Sequence, residues 1–548
     1  MSRKRFGTVV GAIAAVAVVM SMGGNASGDR AETAGARASA EYSVLGVTTL
    51  TQRNAIAGTG AAINGPEDSR LVISATPDEV RKIQALGFKV IKEEPLPSTQ
   101  DVTPQDFPPA DSAYHNNAEM TAEINQVVAA HPDLINQRVI GQSFQGRDIV
   151  ALKISDNVGV DENEPEVLFT HHQHAREHLT IEMALYLIHL FTESTEQRVR
   201  DLVNSREIWI VPDLNPDGGE FDISTGSYAG WRKNRQPNSG SSNVGTDLNR
   251  NWNYNWGCCG GSSGSTGSET YRGAGAESSP EVQVVANFVR TRVVGGKQQI
   301  VTNIDFHTFS ELVLWPYGFT TNDTAPGMTT EEANTFATLG RRMASLNGYT
   351  PEQSSDLYIT DGTIDDWLWG NQRIWSYTFE MFPASGGLSG FYPPDEQIVP
   401  QTTRNKDAVL TFLEFSDCPK RIIGASCDGT PPPPGRTFEN TTDVPIPDNN
   451  TAVSSPITVS GATGNASATS AVEVHIVHTF RGDLVVDLVA PDGTVYNLLN
   501  RQGGSADNVD QTFTVNLGSE VANGTWNLRA RDAARLDTGF INSWKITL

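Results

Sequence analysis

Residues Glu166–Glu182 read EVLFTHHQHAREHLTIE, and this stretch decides the fold. Val167 to Thr170 is a short, apolar, β-prone run of the kind that makes a buried strand. After a knot of histidines, apolar side chains recur at Leu179, Met183, Leu187 and Leu190, the period of an amphipathic helix. The histidines therefore stand where a strand ends and a helix begins, the edge at which open α/β sheets carry their sites. His174 and Glu177 are three residues apart, so an imidazole and a carboxylate can converge on one ion. Zinc accepts such mixed nitrogen and oxygen donors, and a catalytic zinc takes three protein ligands and a water. Two other readings use the same letters. His174-Ala-Arg-Glu177-His178 fits the inverted zincin pattern, which needs an uninterrupted helix. A surface histidine cluster that binds nothing is the other.

With 548 residues the chain is too long for one compact domain, and two to four are expected. Its 40 basic and 64 acidic residues give a net charge of −24 without a basic block. Nucleic acid and anionic membrane surfaces both select clustered Lys and Arg, so neither is an expected partner. Arg3, Lys4 and Arg5 precede an apolar run from Phe6 to Met22, with small residues at Gly24 and Ala26. That is a secretory signal, residues 1–26, and the product is expected to be extracellular with no membrane span after its removal. The four cysteines suit an oxidising compartment. Cys418 and Cys427 would close a small loop, while adjacent Cys258 and Cys259 either form a ring or pair elsewhere.

A small α/β unit comes next. Leu71 to Ser74 reads as a strand, and Thr76, Pro77 and Glu79 open a helix with a capping box. Gly87 closes that helix and Phe88 to Ile91 is a second strand. From Glu94 to Ala110 proline and acidic residues break all periodicity, so 27–110 reads as a pro-segment with its linker, or as an accessory domain. Helices and strands then alternate over 111–420. Helices are expected at Ala118–Ala130, Pro280–Arg292, Glu331–Leu346 and Thr403–Phe415. Strands are expected at Asp148–Ile154, Glu207–Val211, Ile300–Phe306 and Ile374–Met381. The implied architecture is a mixed, mostly parallel α/β sheet with helices on both faces. Residues 421–436 form a proline-rich linker. Over 437–548 short alternating runs, at Ala471–Val477, Leu484–Val489 and Trp526–Arg529, predict a β-sandwich.

Later stretches supply what a zinc hydrolase still lacks. Asp305-Phe-His307 ends a strand, which brings His307 to the edge where His174 lies. Trp231-Arg-Lys-Asn-Arg235 and Asp247-Leu-Asn-Arg-Asn-Trp252 place guanidiniums and an amide on loops, and Arg forks grip carboxylates. Glu380 closes the strand Ile374–Met381 and shares a pleat face with Ser376 and Thr378, a position for a general base.

Together these segments resemble the zinc metallocarboxypeptidases of the carboxypeptidase A/B kind, including carboxypeptidase T-like members. The matching pieces also include Asn215-Pro-Asp-Gly218, Glu269-Thr-Tyr-Arg-Gly273, Trp315-Pro-Tyr-Gly318, Tyr358 and Thr378-Phe-Glu380. The resemblance implies one Zn²⁺ per chain held by His174, Glu177 and His307, with His171, His172 and His178 outside the ligand set. It implies that Asp247 orients a ligand histidine, and that Asn249, Arg250 and Tyr358 hold the substrate's terminal carboxylate. Arg232 would stabilise the developing oxyanion, Arg176 would line the subsites before the scissile bond, and Glu380 would act as base and then acid. Seven residues after Tyr358, Asp365 would floor the specificity pocket and favour Lys and Arg, with hydrophobic residues also cleaved. A one-residue slip would bring Ile364 there instead. Phe309 stands where the family often has tyrosine.

The tail resembles the P domain of proprotein convertases, on Arg481-Gly-Asp-Leu-Val-Val-Asp-Leu-Val-Ala-Pro-Asp-Gly493 and Gly539-Phe-Ile-Asn-Ser-Trp544. That domain is a jelly-roll sandwich. Asp507 and Asp510 are a candidate Ca²⁺ pair, or a solvated loop. The implied function is a secreted zinc exopeptidase cutting the last residue from peptides and proteins with a free C-terminus, made as a latent precursor that its own pro-segment inhibits. The rival is a catalytically silent binding protein, which the complete set of zinc ligands and base disfavours.

Overall fold

The computed structural model describes residues 39–67, 70–94, 96, 106–425, 427, 437–459, 465–467 and 470–548. The expected secretory segment, most of the linker near residue 100 and the run of prolines after Thr430 lie outside the described residues.

The central element is an eight-stranded sheet. Its order from one edge is Thr350–Gln353, Leu312–Trp315, Trp375–Met381, Ile300–Thr308, Glu166–His171, Glu207–Val211, Asp148–Ile154 and Ile135–Gln142. The strands Trp375–Met381, Ile300–Thr308, Glu166–His171 and Glu207–Val211 are mutually parallel, and antiparallel pairs flank them. Every residue of Glu166–His171 is buried, as expected of a strand covered on both faces. One apolar layer holds Phe169, Phe191, Phe306 and Phe412 beneath the helices Leu179–Glu193 and Lys406–Phe415. The other holds Leu168, Trp209, Trp252 and Trp367 beneath Pro280–Thr291 and Ile364–Gln372.

In the larger unit the expected helices and strands lie within two residues of their sequence-based limits, with one break. The closing helix is two, Ile398–Arg404 and Lys406–Phe415, separated at Asn405. Asn405 is buried and its side chain spans Asn347, Tyr349 and the Gln401 carbonyl, so a polar side chain inside the core replaces helical continuity.

The N-terminal unit is larger than its sequence suggests. Besides Arg70–Ala75, Pro77–Ala85 and Lys89–Lys92 it contains strands Ala40–Leu45 and Ala62–Glu67 and helix Leu50–Ala57, in a four-stranded sheet. Both of its helices open with the reciprocal capping box, Thr49 with Gln52 and Thr76 with Glu79. The following linker also ends earlier than expected. Phe107 is buried in the main core against Tyr114 and His178, so the larger unit begins before residue 111.

Beyond residue 437, two antiparallel sheets enclose a core that includes Val474, Leu488, Trp526 and Trp544. Arg481-Gly-Asp483 forms a 3₁₀ turn between two strands with Gly482 and Asp483 buried, a structural turn and not an exposed loop. Asp510 pairs with His475, and among the described residues neither it nor Asp507 belongs to a three-donor metal cluster. Both disulfides form, Cys418–Cys427 and the adjacent Cys258–Cys259.

Candidate active site

The helix after the histidine knot starts at Leu179, so His174 and Glu177 lie on the turn that precedes it and not on a continuous helix. This excludes the inverted zincin arrangement. The other histidines are each tied elsewhere. His171 reaches the Val211 carbonyl through Nδ1 at 3.1 Å, and burial pushes its pKa down to about 4. His172 is bound by Asp213 at 2.8 Å and by the Ala175 carbonyl at 3.0 Å. Its ring lies where a Cβ on residue 219 would come within 2.5 Å, which is why glycine stands there. His178 Nε2 lies 3.0 Å from Asp222.

His174, Glu177 and His307 converge, each buried. Glu177 Oε1 is 2.8 Å from His174 Nδ1, Glu177 Oε2 is 2.8 Å from His307 Nδ1, and the two Nδ1 atoms are 3.2 Å apart. Behind the rings stand two more carboxylates. His174 Nε2 is 3.1 Å from Asp247 Oδ1, and His307 Nε2 is 2.6 Å from Asp305 Oδ2. Burial disfavours charge on Glu177, yet His174 and His307 outweigh it and hold the carboxyl well below its usual range. For Asp247, burial is outweighed by Arg232 and then His174, with the same result. For His307, burial is outweighed by Asp305 and then Glu177, and its pKa rises well above that of ordinary imidazole.

The sheet sets the remaining parts. His307 and Glu380 are register partners on adjacent parallel strands, so Glu380 stands beside the cluster, half-buried in the wall of a cavity. Burial, reinforced by the Glu177 charge against the pull of His307, pushes Glu380 up to about 8. The cavity, about 80 Å³, is lined by His174, Glu177, Arg232, Asn249, Arg250, Tyr358, Asp365 and Glu380 among others. Arg232 donates to Asp247 Oδ2 through Nε and Nη2, at 3.1 and 3.0 Å. Arg250 donates to the Tyr358 hydroxyl at 3.2 Å and to the Gly261 carbonyl at 3.0 Å. Asn249 accepts from the Ile364 amide at 2.9 Å.

Asp365 is buried, taking hydrogen bonds from Ser376 at 2.5 Å and Thr378 at 2.6 Å. Burial first, then the Asp305 charge, raises its pKa to about 6. Ile364, the alternative at this place, is packed into the apolar core. Phe309 is buried against Phe391. His307 and Asp247 stand behind the walls of this cavity, and Arg176 is not on it. Arg176 lines a neighbouring one of about 370 Å³, and its guanidinium donates to Asn64 Oδ1 at 3.0 Å and Ser74 Oγ at 3.3 Å, both in the N-terminal unit.

Two residues without an expected role hold the site from behind. Asp361 accepts from the amides of Gly257, Cys259 and Gly261 at 3.2, 3.2 and 3.0 Å, which fixes the loop that in turn fixes Arg250. Asp305 is the other. Its signal was present in the sequence, since residues two apart on a strand share a face.

A family model described as zinc carboxypeptidase matches residues 120–408, and one for the proprotein convertase P-domain matches 467–548. The chain belongs to the zinc carboxypeptidase family. It is 51% identical over 447 residues to the zinc carboxypeptidase of Saccharothrix mutabilis subsp. capreolus, a match that covers 78% of this chain and all of that protein. Carboxypeptidase B of Bos taurus is 32% identical over 293 residues, 52% of this chain and 67% of that protein. The carboxypeptidase A structure from Helicoverpa armigera superposes with a TM-score of 0.57 at 22% identity, over 70% of this chain and 98% of that one, and bears on the fold alone.

The donor set of this zinc carboxypeptidase suits its metal. With each Nε2–H donating to the carboxylate behind it, both Nδ1 lone pairs and the Glu177 oxygens face one point, an arrangement that a divalent cation satisfies. Two histidines and one glutamate is also the donor set of catalytic zinc in carboxypeptidase A.

Proposed function

We propose that this metal-dependent C-terminal exopeptidase is exported as a latent precursor, and that the mature enzyme removes Lys and Arg well and hydrophobic residues also. His174, Glu177 and His307 would hold the zinc. When bound, zinc supplies Lewis-acid polarisation and a more acidic water at neutral pH. Glu380 would take the proton from the attacking water and pass it to the leaving amine. Arg232, kept charged by Asp247, would receive the negative charge developing on the scissile carbonyl oxygen. Asn249, Arg250 and Tyr358 would hold the terminal carboxylate of the substrate, and Arg176 would meet residues before the scissile bond. Asp365 would pair with a cationic side chain, since a buried carboxylate gains most from a partner that offsets its desolvation.

The observation that carries this reading is the cavity itself, whose walls include His174 and Glu177 of the metal-donor group, the guanidinium and amide clamp, and Asp365 together. The same cavity is capped by Ile63 and Asn64, and this supports latency. Helix Leu50–Ala57 adds a second hold. Arg53 donates to the Leu357 and Asp356 carbonyls at 2.6 and 2.7 Å, Asn54 accepts from the Ile359 amide at 2.8 Å, and Tyr358 between them packs on the N-terminal core. The burial of Phe107 supports a processing cut before that residue. Export rests on the sequence of residues 1–26; among the described residues no helix is long and apolar enough to cross a membrane. The test compares intact and linker-cleaved protein on matched peptides ending in Arg and Phe, with and without a zinc chelator. Full activity of the intact precursor, or activity that survives chelation, would overturn the reading.

A further inference from the structure

The two ligand histidines are backed by unequal carboxylates. Asp247, behind His174, shares its charge with Arg232, which donates twice to Oδ2. Asp305, behind His307, is fully buried, and among the described residues its ion pair is with His307. Its other partners are neutral donors. Thr170 Oγ1 donates to Oδ1 at 2.6 Å and Gln173 Nε2 to Oδ2 at 2.5 Å. Both donors are themselves oriented. Thr170 accepts from the Asn303 amide at 3.3 Å, and Trp252 donates to Gln173 Oε1 at 3.0 Å, turning the Gln173 amino group toward Asp305. A chain of hydrogen bonds thus runs from Trp252 through Gln173 and Asp305 to the His307 ring.

We infer that Asp305 is the positioning residue for the second zinc-binding histidine, fixing the Nε2–H tautomer of His307 and aiming its Nδ1 lone pair at the metal. This rests on His307 being a ligand. A buried carboxylate with no Arg or Lys to share its charge concentrates that charge on the one imidazole it touches, which raises the basicity of that ligand. The Asp247 pair, already neutralised by Arg232, has less to give. Asp305 touches neither substrate nor metal, so its effect runs through His307.

The test uses Asp305→Asn, Asp305→Ala and His307→Ala in the full chain, with fold checked by circular dichroism and melting. Zinc retention is read by competition with a chromophoric chelator, and the metal environment by the absorption spectrum of the cobalt(II)-substituted protein. Loss of a carboxylate behind a ligand histidine lowers metal affinity by about 10–100-fold. That loss is expected for Asp305→Ala, with a smaller one and a shifted cobalt spectrum for Asp305→Asn. Zinc retention within twofold of wild type in both Asp305 variants, with an unchanged cobalt spectrum, would overturn the inference. If Asp305→Ala does not fold, the isosteric Asp305→Asn decides alone on both readouts. Retention of zinc by His307→Ala would instead overturn the ligand assignment, and so distinguishes the two failures.

Discussion

Glu380 and Asp365 are carboxylates of the same cavity with raised pKa values and different proposed tasks. Glu380→Gln keeps the shape of the wall and removes the proton acceptor, so turnover should fall by about 10²–10⁴-fold while one zinc per chain remains. Metal analysis beside steady-state kinetics checks this, and near-normal turnover with zinc in place would exclude Glu380 as the base. Asp365 is held near 6 in the free enzyme. It is charged above that pH and neutral below it, so the proposed preference for Arg over Phe should decline as pH falls through about 6. Asp365→Ala should abolish that dependence and lower the Arg-to-Phe ratio of kcat/KM by about 10²-fold, the scale of losing one partner of a buried ion pair. An unchanged ratio would remove Asp365 from the pocket. At this scale the motifs brought most of their residues to one sheet edge, but not Arg176, which bonds to the N-terminal unit instead. His174 and Glu177 come together as their spacing implies, and His307 and Glu380 join them from adjacent strand ends. Asp361 was not assigned, because a carboxylate that acts through loop amides leaves no spacing of its own, whereas the two-residue spacing of Asp305 from His307 on one strand was there to be used.

Elements were legible in proportion to their apolar period. Glu207–Val211 and Asp148–Ile154 match their expected limits because both are buried runs ended by polar turns. Ala62–Glu67 was missed because AINGPE carries a glycine and a proline, which argue against a strand. It is tolerated because the register slips between Ile63 and Gly65. Gln197–Val203 and Ile364–Gln372 were missed because short helices show too few turns for a period to emerge. The turn before Leu179 is the element on which the site depends, and His178 anchors it without touching the metal group. Asp222, which accepts from His178, also takes the Tyr392 hydroxyl at 2.9 Å and the Trp231 amide at 2.6 Å, so it ties three segments together. His178→Ala should therefore cost about 1–3 kcal/mol of stability through an under-satisfied buried carboxylate, with zinc content unchanged. Thermal melting with metal analysis separates the two effects, and loss of zinc in a folded His178→Ala protein would contradict the proposed ligand set.

For the whole molecule, the decisive contact is the one between the N-terminal unit and the catalytic cleft. The two approach closely at Gly60, whose carbonyl accepts from Ser268 at 2.7 Å and Thr270 at 2.9 Å. A Cβ there would come within 2.8 Å of Glu79 and 3.1 Å of the Ser263 hydroxyl, and the φ of +102° also favours glycine. A second contact carries a charge that responds to pH. Glu41 is buried beside Arg176, accepts from Asn64 at 3.2 Å, and leaves its other oxygen without a hydrogen bond. Burial raises its pKa to about 7, and Glu93 adds to this, whereas Arg176, Asn64 and the Leu388 amide pull the other way. Released from the cleft, Glu41 would return to the ordinary carboxylate range near 4.5. The docked form then binds a proton more tightly than the released form. Docking is strongest below about 4.5, weakens as pH rises through about 7, and levels off above that. Each unit of such a shift corresponds to about tenfold in the equilibrium. After cleavage of the linker, the unit should thus dissociate and release activity on dilution at least about tenfold more readily at pH 7.5 than at pH 5. Glu41→Gln cannot ionise, so it should keep the unit docked at both pH values. Release that is independent of pH in the wild type, or a slope that survives in Glu41→Gln, would show that another group sets the docking equilibrium.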